Sequence, residues 1–280
     1  MILANHGIIS SSGNGVLYDA DALAFITVAS ITDNTQKTAI NTLVTDLKAN
    51  NIWTKMKALY PFVGGTASAH KWNLKDPRDL DVAYRLVFNG GVTHDSNGVL
   101  FGGVNGYADS KLSPYIQLTA NNNHLSVYSN LNLTGTDVLG EYSLVAGALN
   151  SAYTQRFDLA VSSKDAFATP NTTFTTNANA STQISYVDSS KIGNYLSTRT
   201  ANNNFKLFKN SSLIGSNTIT NTAQLPDYSI YIGGWNQANT ARFSYRRLAF
   251  ATIGDGLSDT EASNFYTAVQ AYQTTLNRQV

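Results

Sequence analysis

The fold is decided by the stretch Leu225-Pro-Asp-Tyr-Ser-Ile-Tyr-Ile-Gly-Gly-Trp-Asn236 and, after a loop, Phe243-Ser-Tyr-Arg-Arg-Leu-Ala-Phe-Ala-Thr-Ile-Gly-Asp-Gly-Leu-Ser-Asp-Thr-Glu261, which runs on to Val280. Two alternations, Tyr228/Ile230/Ile232 and Phe243/Tyr245 continuing into Leu248/Phe250, flank a Gly/Asn loop. They predict neighbouring strands of a sheet with one buried face. Behind the Gly254-Asp255-Gly256 turn, Ser258 and Glu261 stand at the spacing of a capping box, in which each side chain accepts from the other residue's backbone N–H. Ala262, Phe265, Val269, Tyr272 and Leu276 then recur at three- and four-residue spacing, so the helix that follows has one apolar face that must lie on something.

Upstream the same period of two dominates. Val82/Tyr84/Leu86/Phe88 predicts a strand stopped by Asn89-Gly90-Gly91, and Asn97-Gly98 is a hairpin signal between Thr93 and Leu100. Further strands are expected at Ile116–Thr119, Leu125–Ser129, Glu141–Val145, Phe157–Val161, Gln183–Val187, Gly193–Arg199, Phe205–Lys209 and Leu213–Thr218. Short strands joined by Asn/Gly/Ser turns, with no interleaved helices, indicate a mainly β protein: an antiparallel two-sheet sandwich from Asp81 to Thr252. No solenoid repeat is visible.

Before the strands the period is helical. Asp19 to Ser30 is a short apolar helix candidate. A second begins at Thr32-Asp33, where Asp33 and Gln36 repeat the capping spacing, carries Ile40, Leu43, Val44 and Leu47 as its buried stripe, and stops at Asn50-Asn51. Trp53, Met56, Leu59 and Tyr60 read as a further helical or irregular piece ending before Pro61. The organisation is thus residues 1–17 as an amino-terminal arm, 18–65 as a helical preface packed on the sandwich, and 66–280 as the sandwich with its C-terminal helix. Ile2, Leu3, Ile8 and Ile9, ahead of a Ser/Gly/Asn spacer, make the arm a candidate attachment segment.

Composition excludes several classes. The 280 residues suffice for a substantial core, and charged residues are only 13%, with Asn, Thr and Ser in their place. A net charge of +1 without a clustered basic run leaves no footprint for nucleic acid. With no cysteine there is neither a disulfide nor a thiolate metal site. The amino terminus, interrupted by Asn5, His6 and Gly7, is neither a signal peptide nor a membrane span.

The order strand, strand, Gly-rich turn and Leu257-Ser-Asp-Thr-Glu261 helix resembles the end of concanavalin A-like, laminin-G-like jelly-roll domains. Lys206-Leu-Phe-Lys-Asn-Ser-Ser-Leu-Ile214 is similar to a hairpin common in those domains, with Ser211 where Gly is usual. Asn51 to Gly65 and Ala262 to Val280 resemble segments of structural proteins of tailed bacteriophages. That second resemblance implies a non-enzymatic subunit assembled in the host cytoplasm and displayed on the virion surface as a head decoration, head fibre or tail-associated protein. It further implies attachment to other virion proteins through the arm and a homo-oligomer, by analogy a trimer. The alternative is a carbohydrate- or host-receptor-binding module.

Jelly rolls of this class also include glycoside hydrolases, which need paired carboxylates flanking the bond. Glu141 and Glu261 are the only glutamates. They lack a companion at the required spacing, and Glu261 is explained by capping. Asp76, Asp79 and Asp81, beside Pro77 and Arg78, read as a solvated turn with an internal ion pair. His6, His70, His94 and His124 lie in separate segments without zinc-pair spacing, and no Gly-x-Ser-x-Gly elbow occurs. No catalytic residue and no cofactor are assigned. The jelly-roll resemblance leaves calcium open, with Asp95, Asp109 and Asp137 in loops but no matching signature. A glycan site would use loop aromatics that stack on sugar faces and amides that bond hydroxyls. Two loops fit: Gly233-Gly234-Trp235-Asn236-Gln237 with Asn239, and Asn105-Gly106-Tyr107-Ala108-Asp109. The plainer reading makes Trp235 and Tyr107 covers for the ends of the core.

Overall fold

The computed structural model describes residues 17–132, 144–163, 172–220 and 223–280. Ile2, Leu3, Ile8 and Ile9 of the expected arm lie outside them, as do Asp137 and Glu141. Strands are numbered here in chain order. One sheet runs β13 (Ser212–Asn217), β12 (Asn204–Lys209), β11 (Gly193–Ala201), β6 (Asn123–Ser129), β17 (Tyr245–Gly254), β4 (Gly98–Gly102) and β3 (Val92–Asp95), with β1 (Met56–Tyr60) also on β17. The second runs β10 (Ile184–Val187), β9 (Thr172–Ala178), β8 (Arg156–Ser163), β7 (Leu144–Leu149), β14 (Tyr231–Ile232), β5 (Tyr107–Asp109) and β2 (Val87–Asn89). A hairpin of β15 (Gly234–Gln237) and β16 (Thr240–Phe243) joins it at β7, where β15 makes a parallel pair; the other named pairs are antiparallel.

Three layers result. Between the sheets, Leu248, Ala251 and Ile253 of β17 pack with Leu125 and Val127, Phe205 and Leu207, and Phe157, Leu159 and Val161. On the other face of the first sheet, Tyr128, Leu196, Phe208, Ala249 and Phe250 meet α1 (Ala20–Val28), α2 (Asn34–Ala49) and the C-terminal helix Asp259–Thr275. Of the two capping boxes read from sequence, Ser258 and Glu261 exchange both bonds, whereas Asp33 caps its helix with the single bond it accepts from Gln36 N. The C-terminal helix buries Ala262, Phe265, Val269 and Tyr272, as its stripe requires, and each large side chain so removed from water contributes about 1.5–3 kcal/mol. Arg278 then locks the chain end to the sheet, donating to the carbonyls of Pro61 (2.9 Å), Phe62 (2.8 Å) and Ala249 (3.1 Å).

Several elements differ from the sequence reading. Met56–Tyr60 is a strand on β17 and not helical, so the sandwich begins ahead of Asp81; an apolar run buried on both faces has no alternation to betray it. Val82 to Leu86 is not a strand: Asp81–Ala83 forms a 3₁₀ turn and Tyr84 adopts φ 60°, leaving only Val87–Asn89 extended. In place of Ile116–Thr119 a short helix, Pro114–Gln117, starts on its proline, whose fixed φ and missing N–H suit a first turn. β14 is confined to Tyr231–Ile232, and Gly234–Gln237, expected as a loop, is a strand. A bulge between Leu248 and Phe250 sends these two to opposite faces of the sheet, whereas strict alternation puts them on one. Three more strands lie where the sequence reading has none: β5, β16, which takes up the loop before Phe243, and the threonine-rich β9, which is buried along its length.

Candidate ligand-binding face

The helices cover the first sheet, and the residues singled out for recognition stand on the outer side of the second. In β8, Phe157, Leu159 and Val161 fill the inter-sheet core, so Arg156, Asp158 and Ala160 point away from it. Ala160 forms a separate cluster there with Leu149, Phe174 and Trp235.

Trp235 reaches this face because the chain reverses at two glycines. Gly233 has φ +78° and packs on Phe101, whose ring carbon would lie 2.1 Å from an added Cβ; a Cβ on Gly234 would meet the Arg242 carbonyl at 2.0 Å. At the far end of the hairpin Ala238 (φ 48°) and Asn239 (φ 69°) form a two-residue turn between Gln237 and Thr240, with both central residues left-handed as this tight connection demands. Asn236 holds it: the side chain accepts from Asn239 N (2.7 Å) and donates to the Ser229 carbonyl (2.9 Å), and it is fully buried.

Trp235 is only 6% exposed. Its ring meets Phe174 edge-on at 6.1 Å and lies under the Arg156 guanidinium at 5.2 Å, while its indole N–H has no partner among the described residues. Arg156 Nε donates to Asp158 (2.8 Å), which also accepts from Thr176 N (3.0 Å). Burial pushes the Asp158 carboxyl up from its ordinary value, against the pull of Arg156. At the tip, Gln237 Nε2 donates to the Tyr153 hydroxyl (2.6 Å), and its Oε1 accepts from Arg242 Nε (2.9 Å). Tyr153 is 44% exposed. At the root, Phe243 is 6.2 Å from Tyr107, which stacks on Tyr231 at 4.4 Å. Burial and the Tyr107 hydroxyl push the Tyr231 phenol up.

The single hairpin therefore touches both predicted loops. Trp235 and Asn236 are built into the scaffold, Gln237 and the exposed Asn239 occupy its tip, and Tyr107 stacks at its root. Asp109 accepts from the backbone N–H and the ammonium of Lys111 (2.9 and 2.7 Å). Tyr153, Arg242, Arg156 and Asp158 join the face without having been singled out. Tyr153 had one sequence signal, the Asn150-Ser-Ala-Tyr-Thr-Gln155 turn between two strands, which is now seen to present it.

Metal chemistry finds no set of ligands among the described residues. Asp95 is used by Asn97 N (2.8 Å) and Arg247 (2.9 Å). Asp76, Asp79 and Asp81 pair with Arg78, with Lys71 and Arg85, and with Arg85 respectively. Glu261 caps its helix and pairs with Lys55 at 2.6 Å. Of the histidines, His124 is fully buried, whereas His70 and His94, distant in sequence, meet through their Nδ1 atoms at 3.0 Å.

No protein-family model and no curated protein sequence matches this chain. Solved structures do. The botulinum neurotoxin type C structure described in terms of cell entry through two ganglioside molecules aligns with TM-score 0.52 at 10% identity, over 79% of this chain and 53% of that one. The serotype D neurotoxin binding domain aligns with TM-score 0.51 at 11% identity, over 78% and 52%. The fold is a jelly-roll sandwich. Domain 4 of a GH43 extracellular arabinanase from Geobacillus stearothermophilus, solved with arabinotriose, aligns at 9% identity over 75% of this chain and 98% of that domain, with TM-score 0.46. The chain spans about half the length of the two neurotoxin structures it matches.

Proposed function

We propose that this chain is a non-catalytic carbohydrate-binding sandwich module whose ligand face is the outer side of the second sheet around the β15–β16 hairpin. One observation carries the reading: Tyr153, exposed and held by a Gln237 amide that Arg242 in turn fixes, is a pre-positioned aromatic with hydrogen-bonding groups beside it. A sugar ring needs that combination, an apolar face to stack on and placed polar groups for its hydroxyls. Because Gln237 donates to the Tyr153 oxygen, the phenolic proton is left to point at a ligand. The shared fold supplies the architecture only. It hosts glycan recognition elsewhere, as the two ganglioside molecules of the type C neurotoxin illustrate. Of the carboxylates of this face, Asp158 is buried and paired with Arg156, and Asp109 is paired with Lys111.

Virion membership rests on sequence resemblance and on an arm outside the described residues; the comparisons add no support to it. A glycan array probed with the full chain tests the proposal. Specific signals that disappear in Tyr153→Ala and Gln237→Ala are expected, and an array blank for every sugar class overturns it.

A further inference from the structure

We propose that the His70–His94 contact is an acid-released clasp that holds the Thr66–His70 turn against edge strand β3. Two ring nitrogens 3.0 Å apart require one donor and one acceptor. Gly65 N–H points at His70 Nε2 (3.2 Å), so that nitrogen accepts and the His70 proton sits on Nδ1. His70 Nδ1–H therefore donates to His94 Nδ1, and His94 carries its proton on Nε2. The chain of bonds Gly65–His70–His94 is complete only while both rings are neutral. One added proton on His94 costs one of its two bonds: either two Nδ1–H groups face each other, or the His70 proton moves to Nε2 and meets the Gly65 N–H.

The environment decides which ring takes that proton. His70 is 1% exposed and lies beside Phe62 (5.8 Å); burial, His94 and the Arg278 guanidinium lower its pKa to about 3. His94 is half-buried, edge-on to Phe88 at 4.5 Å, and burial lowers it against the pull of Asp95, itself paired with Arg247. His94 is the ring that protonates.

The segment is built to let go. Phe62 (φ 42°), Gly64 (φ 96°) and Gly65 (φ 72°) are left-handed, so the chain before the turn is a sharp bend, and Gly65 lies against the Asp95–Ser96 end of β3. Arg278 holds Phe62 on the near side of the bend, and beyond it Ala69 packs in the core and the Lys71 carbonyl accepts from Leu86 N (2.8 Å), so the part left to the clasp is Gly65–Ser68. A turn laid on an edge strand hides backbone groups that otherwise invite pairing, so release in acid uncovers β3 locally without unfolding the sandwich.

Hydrogen exchange on the full chain, corrected for the intrinsic pH dependence, tests this. In the wild type, opening of Gly65–Ser68 rises as pH falls from the ordinary histidine value towards the lowered value of the closed state, by at most about tenfold per pH unit, the factor for uptake of one proton, and levels off below it. In His94→Gln the amide oxygen still accepts from His70 Nδ1–H but does not titrate, and opening stays flat. Equal protection of the wild type at neutral and acid pH, or a His94→Gln protein that responds as the wild type does, overturns the proposal. Should His94→Gln fail to fold, imidazole NMR of the wild type decides at neutral pH: Nδ1–H on His70 with Nε2–H on His94 supports the clasp, and any other pair of tautomers refutes it.

Discussion

His124 makes the protein lose stability in acid, by an amount that follows from its surroundings. The ring is fully buried on β6; Nδ1 donates to the Asp255 carbonyl (2.6 Å) and Nε2 accepts from the Thr252 hydroxyl (3.1 Å), so the neutral form satisfies both nitrogens. Burial, opposed by the Asp255 contacts and aided by Lys55, lowers its pKa from 6.5 to about 4. Between those values the unfolded chain binds the proton and the folded one does not, so stability rises with pH and is lost as pH falls below 6.5. From about pH 7.5 to about pH 5, above the range where carboxylates titrate, the loss from this residue is about 2 kcal/mol. That is a fall in melting temperature of roughly 3–4 °C for a chain of 280 residues. His124→Gln should be less stable at neutral pH but show a pH dependence shallower by that same amount, read from urea unfolding at each pH. An unchanged slope in His124→Gln would refute the reasoning.

The other predictions separate scaffold from surface. Gly233→Ala places a Cβ 2.1 Å from the Phe101 ring at φ +78° and should cost about 3 kcal/mol or more, visible as a fall in urea midpoint; wild-type stability would show that the turn relaxes freely. Trp235→Ala empties a buried site and should cost about 3–5 kcal/mol, whereas Tyr153→Ala at an exposed site should stay within about 0.5 kcal/mol; equal melting of the two variants contradicts the division. Arg278→Met strands the Phe62 carbonyl and the Gln273 side-chain oxygen, whereas Pro61 keeps the Tyr272 hydroxyl and Ala249 the Gln273 amide, and should cost about 2–4 kcal/mol, with hydrogen exchange in the last turn of the C-terminal helix rising first; unchanged exchange there would rule out the lock.

The architecture was legible where local chemistry and burial agree. Ser258 with Glu261, Asp33 with Gln36, and Asn97-Gly98 each carry their own explanation within a few residues: the first forms its full box, Asp33 caps its helix by one bond, and the hairpin closes with Ser96-Asn97 as its turn and Gly98 opposite Asp95. Elements fixed by distant partners were not. Met56–Tyr60 is extended because β17 offers it a ladder. Thr172–Ala178 is buried although polar because its hydroxyls find partners across the core, as Thr175 does with Asp158 O (2.6 Å) and Ser197 (2.7 Å). The face shows the same limit. Trp235 and Gln237 share one loop in the sequence, yet their opposite fates, one under Arg156 and one on Tyr153, depend on β7, with β8 beyond it, lying beside β15. No spacing within the hairpin encodes those neighbours.

The most direct test of the glycan-binding reading is backbone amide NMR of the full chain titrated with the sugars that score on the array. Shifts should gather on Asn150–Gln155, Gln237–Arg242 and the Tyr107 strand, saturate, and vanish in Tyr153→Ala with the fold intact. Shifts confined to the helix-covered side of the first sheet, or no saturable shift with any sugar, would contradict it.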